Sequence, residues 1–121
     1  MSTASPLSVA SDPLLFKLNA WLATLQANRQ TSSYLQTADA IAVSGPHRIG
    51  QLTALLEHTM AVDHTNGQPL RAAMVVSRTQ SELPAPGFFM HAQALGAQSA
   101  LCSNETFHQH CLNDLFKNLP D

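Results

Sequence analysis

Between Gly45 and Phe89 the spacing of apolar residues changes character several times without ambiguity. Ile49, Leu52, Leu55, Leu56 and Met60 recur three and four residues apart, which predicts a helix opening near Pro46. Thr65-Asn66-Gly67 ends it, with Asn66 or Gly67 suited to a left-handed C-terminal position. Ala72 to Val76 is then apolar at every position, so the spacing predicts one strand, about Leu70 to Ser77, covered on both faces. A loop with two prolines, Thr79 to Pro86, leads into a short helix opening at Gly87. That helix carries Phe88, Phe89, Ala92 and Leu95 and closes at Gly96.

The flanking segments supply cover for that strand. Asp12-Pro13 reads as an N-cap followed by proline at the first helical position. Leu14, Leu15, Leu18, Trp21, Leu22 and Leu25 then line one face of a helix ending near Asn28, with Trp21 as a core anchor. Arg29 to Ser33 is a polar connector with room for a brief edge strand, and Ser33 caps a second helix, Tyr34 to Val43. Ser103 or Asn104 caps a fifth helix whose stripe is Phe107, Cys111, Leu112, Leu115, Phe116 and Leu119, with Pro120 at its end. Residues 1–12 read as a flexible leader and 13–121 as a single domain. The fold class expected is α+β: about five helices and one buried strand at 70–77.

The Tyr34-led helix, the Gly45-Pro46 turn and the helix opening His47-Arg48-Ile49-Gly50 look like a helix-turn-helix pair. The segment YLQTADAIAVSGPHRIGQLTALL resembles the opening of the winged-helix domain of alkyltransferase-like proteins and alkylguanine alkyltransferases. Tyr34, Ala38, Ile41, Arg48, Ile49, Gly50 and Leu55 are the matching positions. The resemblance implies a winged-helix-like domain and a DNA-associated role. It covers about twenty residues. The Pro-Cys-His-Arg run that carries that family's reactive cysteine has no counterpart in Gln68 to Val76, so thiolate alkyl transfer is not expected there.

Composition narrows the functional classes. Charged residues make up 12% of the chain, about half the usual share, which leaves apolar surface for a partner. Six Lys and Arg against eight Asp and Glu give a net charge of −2, without the clustered basic face of tight nucleic-acid binders. If the helix from Pro46 enters a groove, His47, Arg48 and Gln51 lie at its start. Arg48 and Gln51 are the residue types that read guanine and adenine edges. The alternative surface is the loop and helix bearing Arg78, Glu82, Phe88 and Phe89, where one phenylalanine of the adjacent pair is expected to stand exposed as an aromatic anchor.

No catalytic residues are expected. Ser77 lacks the flanking glycines of a nucleophile elbow, and there is no glycine-rich phosphate loop. Asp63 and His64 read as solvated residues at a helix end. Cys102, His108, His110 and Cys111 lack tetrahedral-site spacing, and Cys111 belongs to an apolar stripe, so neither metal nor cofactor is expected. With no apolar run of membrane-spanning length, no signal peptide pattern and two cysteines, the expected location is the cytoplasm and no membrane partner is expected. Two readings follow: a small DNA-associated regulatory module, bacterial or phage, or a protein-binding factor such as an immunity protein or inhibitor of a toxin or defence system.

Overall fold

The computed structural model describes residues 13–78 and 82–117; the leader 1–12 and Pro120 lie outside them. In chain order the elements are α1 (Pro13–Ala27), β1 (Ser32–Ser33), α2 (Tyr34–Ala40) and α3 (Arg48–Thr65). A one-turn 3-10 helix (Arg71–Met74), β2 (Val75–Val76), α4 (Pro86–Leu95) and α5 (Asn104–Lys117) follow. The fold is mainly helical with one small parallel sheet. β1 and β2 pair in the register Ser32 with Val75 and Ser33 with Val76, and an antiparallel bridge joins Ser77 to Leu83. Among the described residues no helix is long and apolar enough to cross a membrane.

Ala72 to Val76 is the buried centre, each residue at most 2% exposed. The α1 leucines 15, 18, 22 and 25, Ile41, the α3 residues Leu52, Leu56 and Met60, Phe89 and Leu115 join the same core. Its conformation corrects the strand expected over 70–77. Only Val75 and Val76 are strand; Arg71 to Met74 is a single 3-10 turn. The reason lies in where the backbone groups find partners. The Arg71 N–H donates to the Asp63 carboxylate at 3.0 Å, and Ala73 N–H reaches the Leu70 carbonyl at 3.1 Å. The Ala73 carbonyl accepts from His108 Nε2 at 2.9 Å. With those groups satisfied by a local turn and by side chains, no long ladder is required. Small Ala72 and Ala73 fit the turn, and the β-branched pair Val75-Val76 forms the strand.

The other boundaries follow local chemistry. Ser33 caps α2 in a capping box: its Oγ accepts from Gln36 N–H at 3.0 Å, while Gln36 Oε1 accepts from Ser33 N–H at 3.1 Å. α2 ends at Ala40, three residues short of the expected Val43. α3 starts at Arg48, two beyond Pro46, with His47 at its N-cap.

Four helices end in the same double hydrogen-bond motif, with a left-handed residue at or just past the cap. Gly67 after α3 and Gly96 after α4 fill that position with the residue that adopts it freely. Arg29 after α1 (φ 51°) and Ala42 after α2 (φ 61°) fill it with residues that do not. Exposed Ala42→Gly should therefore stabilise the fold by about 0.5–1 kcal/mol, raising the melting temperature by roughly 2–4 °C. Calorimetry on the purified variant measures this; an unchanged or lower value means that the left-handed backbone at 42 carries no strain.

Candidate functional site

The α2–turn–α3 pair is built as the sequence suggests, and Arg48 and Gln51 bond back to it at the surface. Arg48 Nε donates to the Val43 carbonyl at 3.1 Å, and its guanidinium pairs with the Asp39 carboxylate on α2. Gln51 Nε2 donates to the carbonyls of Ser44 and Pro46, each at 3.3 Å. Both side chains thus knit the turn that sets α3 against α2. His47 is exposed, held in a left-handed conformation at φ 62°.

The second predicted surface is rearranged. Arg78 Nη1 pairs with Glu82 Oε1 at 3.0 Å, and Nη2 donates to Gln36 Oε1 at 3.4 Å, so the loop leans on α2. Phe88 and Phe89 are both buried, which corrects the expected exposed anchor. Successive helix positions differ by roughly 100° around the axis, yet both rings reach the core. α4 packs on α3, and Phe88 also meets Phe107 of α5 with ring centroids 6.1 Å apart. The Phe88 and Phe89 rings meet edge-on, with centroids 5.0 Å apart. The large apolar residue that α4 exposes is instead Met90, 71% accessible. Ahead of α4, the Ala85 N–H donates to the Tyr34 hydroxyl at 2.9 Å; burial raises the Tyr34 pKa, the hydrogen bond lowering it in part.

The arginines that the sequence scatters are brought partly together. Arg78 reaches Gln36 and Arg48 reaches Asp39, positions one helical turn apart on α2. Arg29 and Arg78 line one open cleft beside the same helix. Three guanidinium groups thus border the exposed edge of α2. Arg71 stands apart, bound to buried Asp63 and to Asn19 at 3.2 Å. Asp63 is therefore a core ion-pair partner and not the solvated residue expected. Arg29 is not among the expected site residues, although the sequence offers it with Arg48, Arg71 and Arg78 as one of the arginines whose clustering bears on DNA binding.

The cysteine–histidine cluster is divided. Cys102, His110 and Cys111 line a cavity of about 570 Å3 together with His64 and Asp114. Among the described residues no group of three or more His, Cys, Asp or Glu side chains is placed to hold a metal ion. Burial, with the Asp114 carboxylate and Cys102 nearby, pushes the Cys111 thiol up to about 12, so it remains an unreactive thiol at neutral pH.

His108 instead faces the core, where its Nε2–H holds the Ala73 carbonyl. Burial lowers its pKa below 6.5, the hydrogen bond offsetting part of the shift. The unfolded chain therefore takes up this proton more readily than the folded one. Stability from His108 is complete above the unfolded pKa of about 6.5 and falls as the pH drops below it toward the folded value. Melting temperatures should fall between pH 7.5 and pH 5, by less in His108→Gln. Equal slopes in both proteins would exclude His108 as the source.

No protein-family model, curated protein or solved structure matches this chain.

Proposed function

We propose that the chain is a small DNA-associated, winged-helix-like regulatory or accessory module that engages the phosphate backbone along the edge of α2. The observation that supports this is the gathering of Arg29, Arg78 and Arg48 beside that helix, on a chain whose net charge is −2. The element order agrees with it: helix, strand, helix-turn-helix, strand, then a bridge from Ser77 to Leu83. So does the likeness of residues 34–56 to alkyltransferase-like proteins. Arg48 and Gln51 are held to the turn, so backbone contact is favoured over base reading, with exposed His47 at the helix start.

Three phosphate contacts give a slope of log affinity against log salt of about −3, and Arg48→Ala should reduce it by about one. Fluorescence anisotropy with a mixed-sequence duplex at low and moderate salt measures both. No binding by the parent protein at low salt ends this reading.

A protein-binding factor is the second reading, favoured by Leu35 and Met90, 61% and 71% exposed on neighbouring helices that the Tyr34–Ala85 hydrogen bond ties together. Its mark is a nuclease-resistant partner that the parent captures and a Leu35→Glu/Met90→Glu variant does not.

A further inference from the structure

A concave site lies where the end of α1, β1 and α2 meet. This cleft, of about 500 Å3, is lined by Trp21, Arg29, Gln30, Gln36 and Arg78 among others, and none of its described lining residues is acidic. On a chain with more acids than bases, two arginines on one cleft concentrate positive charge locally, with the Glu82 carboxylate beside Arg78. Its volume falls within the usual range of small-molecule sites.

Two further features bear on what it takes. Arg29 occupies the left-handed position at the end of α1, at φ 51°, where its N–H reaches the Gln26 carbonyl and the next N–H reaches that of Leu25. Glycine would serve that backbone with less strain, and from this position Arg29 lines the cleft. Arg78 pairs with Glu82, but both side chains are substantially exposed, 44% and 62%, and such a pair is weak enough to exchange for a better acceptor. Trp21 is held in place by a bond from its Nε1 to Thr37 Oγ1 at 3.3 Å, presenting a fixed aromatic wall.

We propose that this cleft binds a phosphoryl group, as free phosphate or as a phosphate monoester of nucleotide size, with Arg29 and Arg78 as the cationic clamp. Planar guanidinium groups match phosphate oxygens by paired N–H donors, and the amides of Gln30 and Gln36 add neutral donors at the same rim. A ring carried on the ester would lie against Trp21. The site goes beyond the DNA-associated reading, because a cleft of this volume accommodates a discrete ligand and not a duplex.

Titration calorimetry of the full chain with inorganic phosphate and with AMP, at constant low ionic strength set by chloride, tests it. Saturable one-to-one binding is expected, weakened about tenfold or more in Arg29→Gly and in Arg78→Gln. Arg78→Gln, a change at an exposed side chain, should melt as the parent does, so lost binding there cannot be ascribed to lost folding. Tighter binding of AMP than of phosphate assigns the ester and its ring; equal binding assigns the phosphoryl group alone. Neither compound binding at millimolar concentration, or both variants binding as the parent does, overturns the proposal. A chain that binds AMP and no duplex keeps this site and loses the DNA-associated reading. A chain that binds duplex and neither small ligand does the reverse.

Discussion

Val75→Asp should remove most of the stability of the fold, costing about 4–5 kcal/mol, against a total of roughly 5–15 kcal/mol for a domain of this size. Val75 is 0% exposed, as are Ala73, Met74 and Val76 around it. An ionised carboxylate there would be surrounded by apolar side chains, so it either stays buried or takes up a proton at a large energetic cost. It also sits at the register position facing Ser32, so displacement of β2 dissolves the pairing of the two-stranded sheet. Urea denaturation followed by circular dichroism measures the loss. Val75→Ala provides the comparison, since it creates a cavity without a charge and should cost about 2 kcal/mol. A Val75→Asp protein that melts within a degree or two of the parent would show that this segment is not central.

That burial was legible in the sequence, because five consecutive apolar residues have no solvent-facing alternative in a covered segment. Its conformation was not. An apolar run marks what must be hidden and leaves open how its backbone is satisfied. Here the deciding partners are the carboxylate of Asp63 and the ring of His108, one before the segment and one 35 residues beyond Ala73. The same division appears at helix ends. Gly67 and Gly96 announce the left-handed positions after α3 and α4, whereas Arg29 and Ala42 adopt them without any compositional sign.

At the candidate site, residue type carried more than one meaning. Arg48 and Gln51 suit base edges, and they equally suit the carbonyls of Val43, Ser44 and Pro46 that a tight interhelical turn leaves open. The Phe88-Phe89 pair suited an exposed anchor only while α4 was taken to meet the core along one narrow stripe. Packing against α3 together with the contact to Phe107 widens that stripe and buries both rings, leaving Met90 outside. The arginine grouping beside α2 depends on long-range packing. It joins residues 29, 48 and 78, whose sequence positions give no sign of it.

The ion pair at Asp63 is where the second large loss is expected. The Asp63 side chain is 6% exposed and that of Arg71 26%, with Nη2 and Oδ1 at 3.1 Å. Asp63 also accepts from Arg71 Nε at 3.1 Å and from the Arg71 backbone N–H at 3.0 Å. One carboxylate thus joins the last turn of α3 to the first residue of the central 3-10 turn by charge and by backbone. Asp63→Ala strips three donors of their acceptor at once and strands a largely buried guanidinium, which Asn19 alone does not neutralise. The expected cost is about 3 kcal/mol, below that of a wholly buried pair because Arg71 retains some access to water. Asp63→Asn keeps an acceptor for the backbone N–H and should lose less, about 1–2 kcal/mol. Arg71→Met removes the stranded charge, so its combination with Asp63→Ala should be more stable than the sum of the two single losses implies. Chemical denaturation of the four proteins completes that cycle. Strict additivity would mean that Asp63 and Arg71 act separately, and a parent-like Asp63→Ala would mean that the centre of the fold is fastened elsewhere.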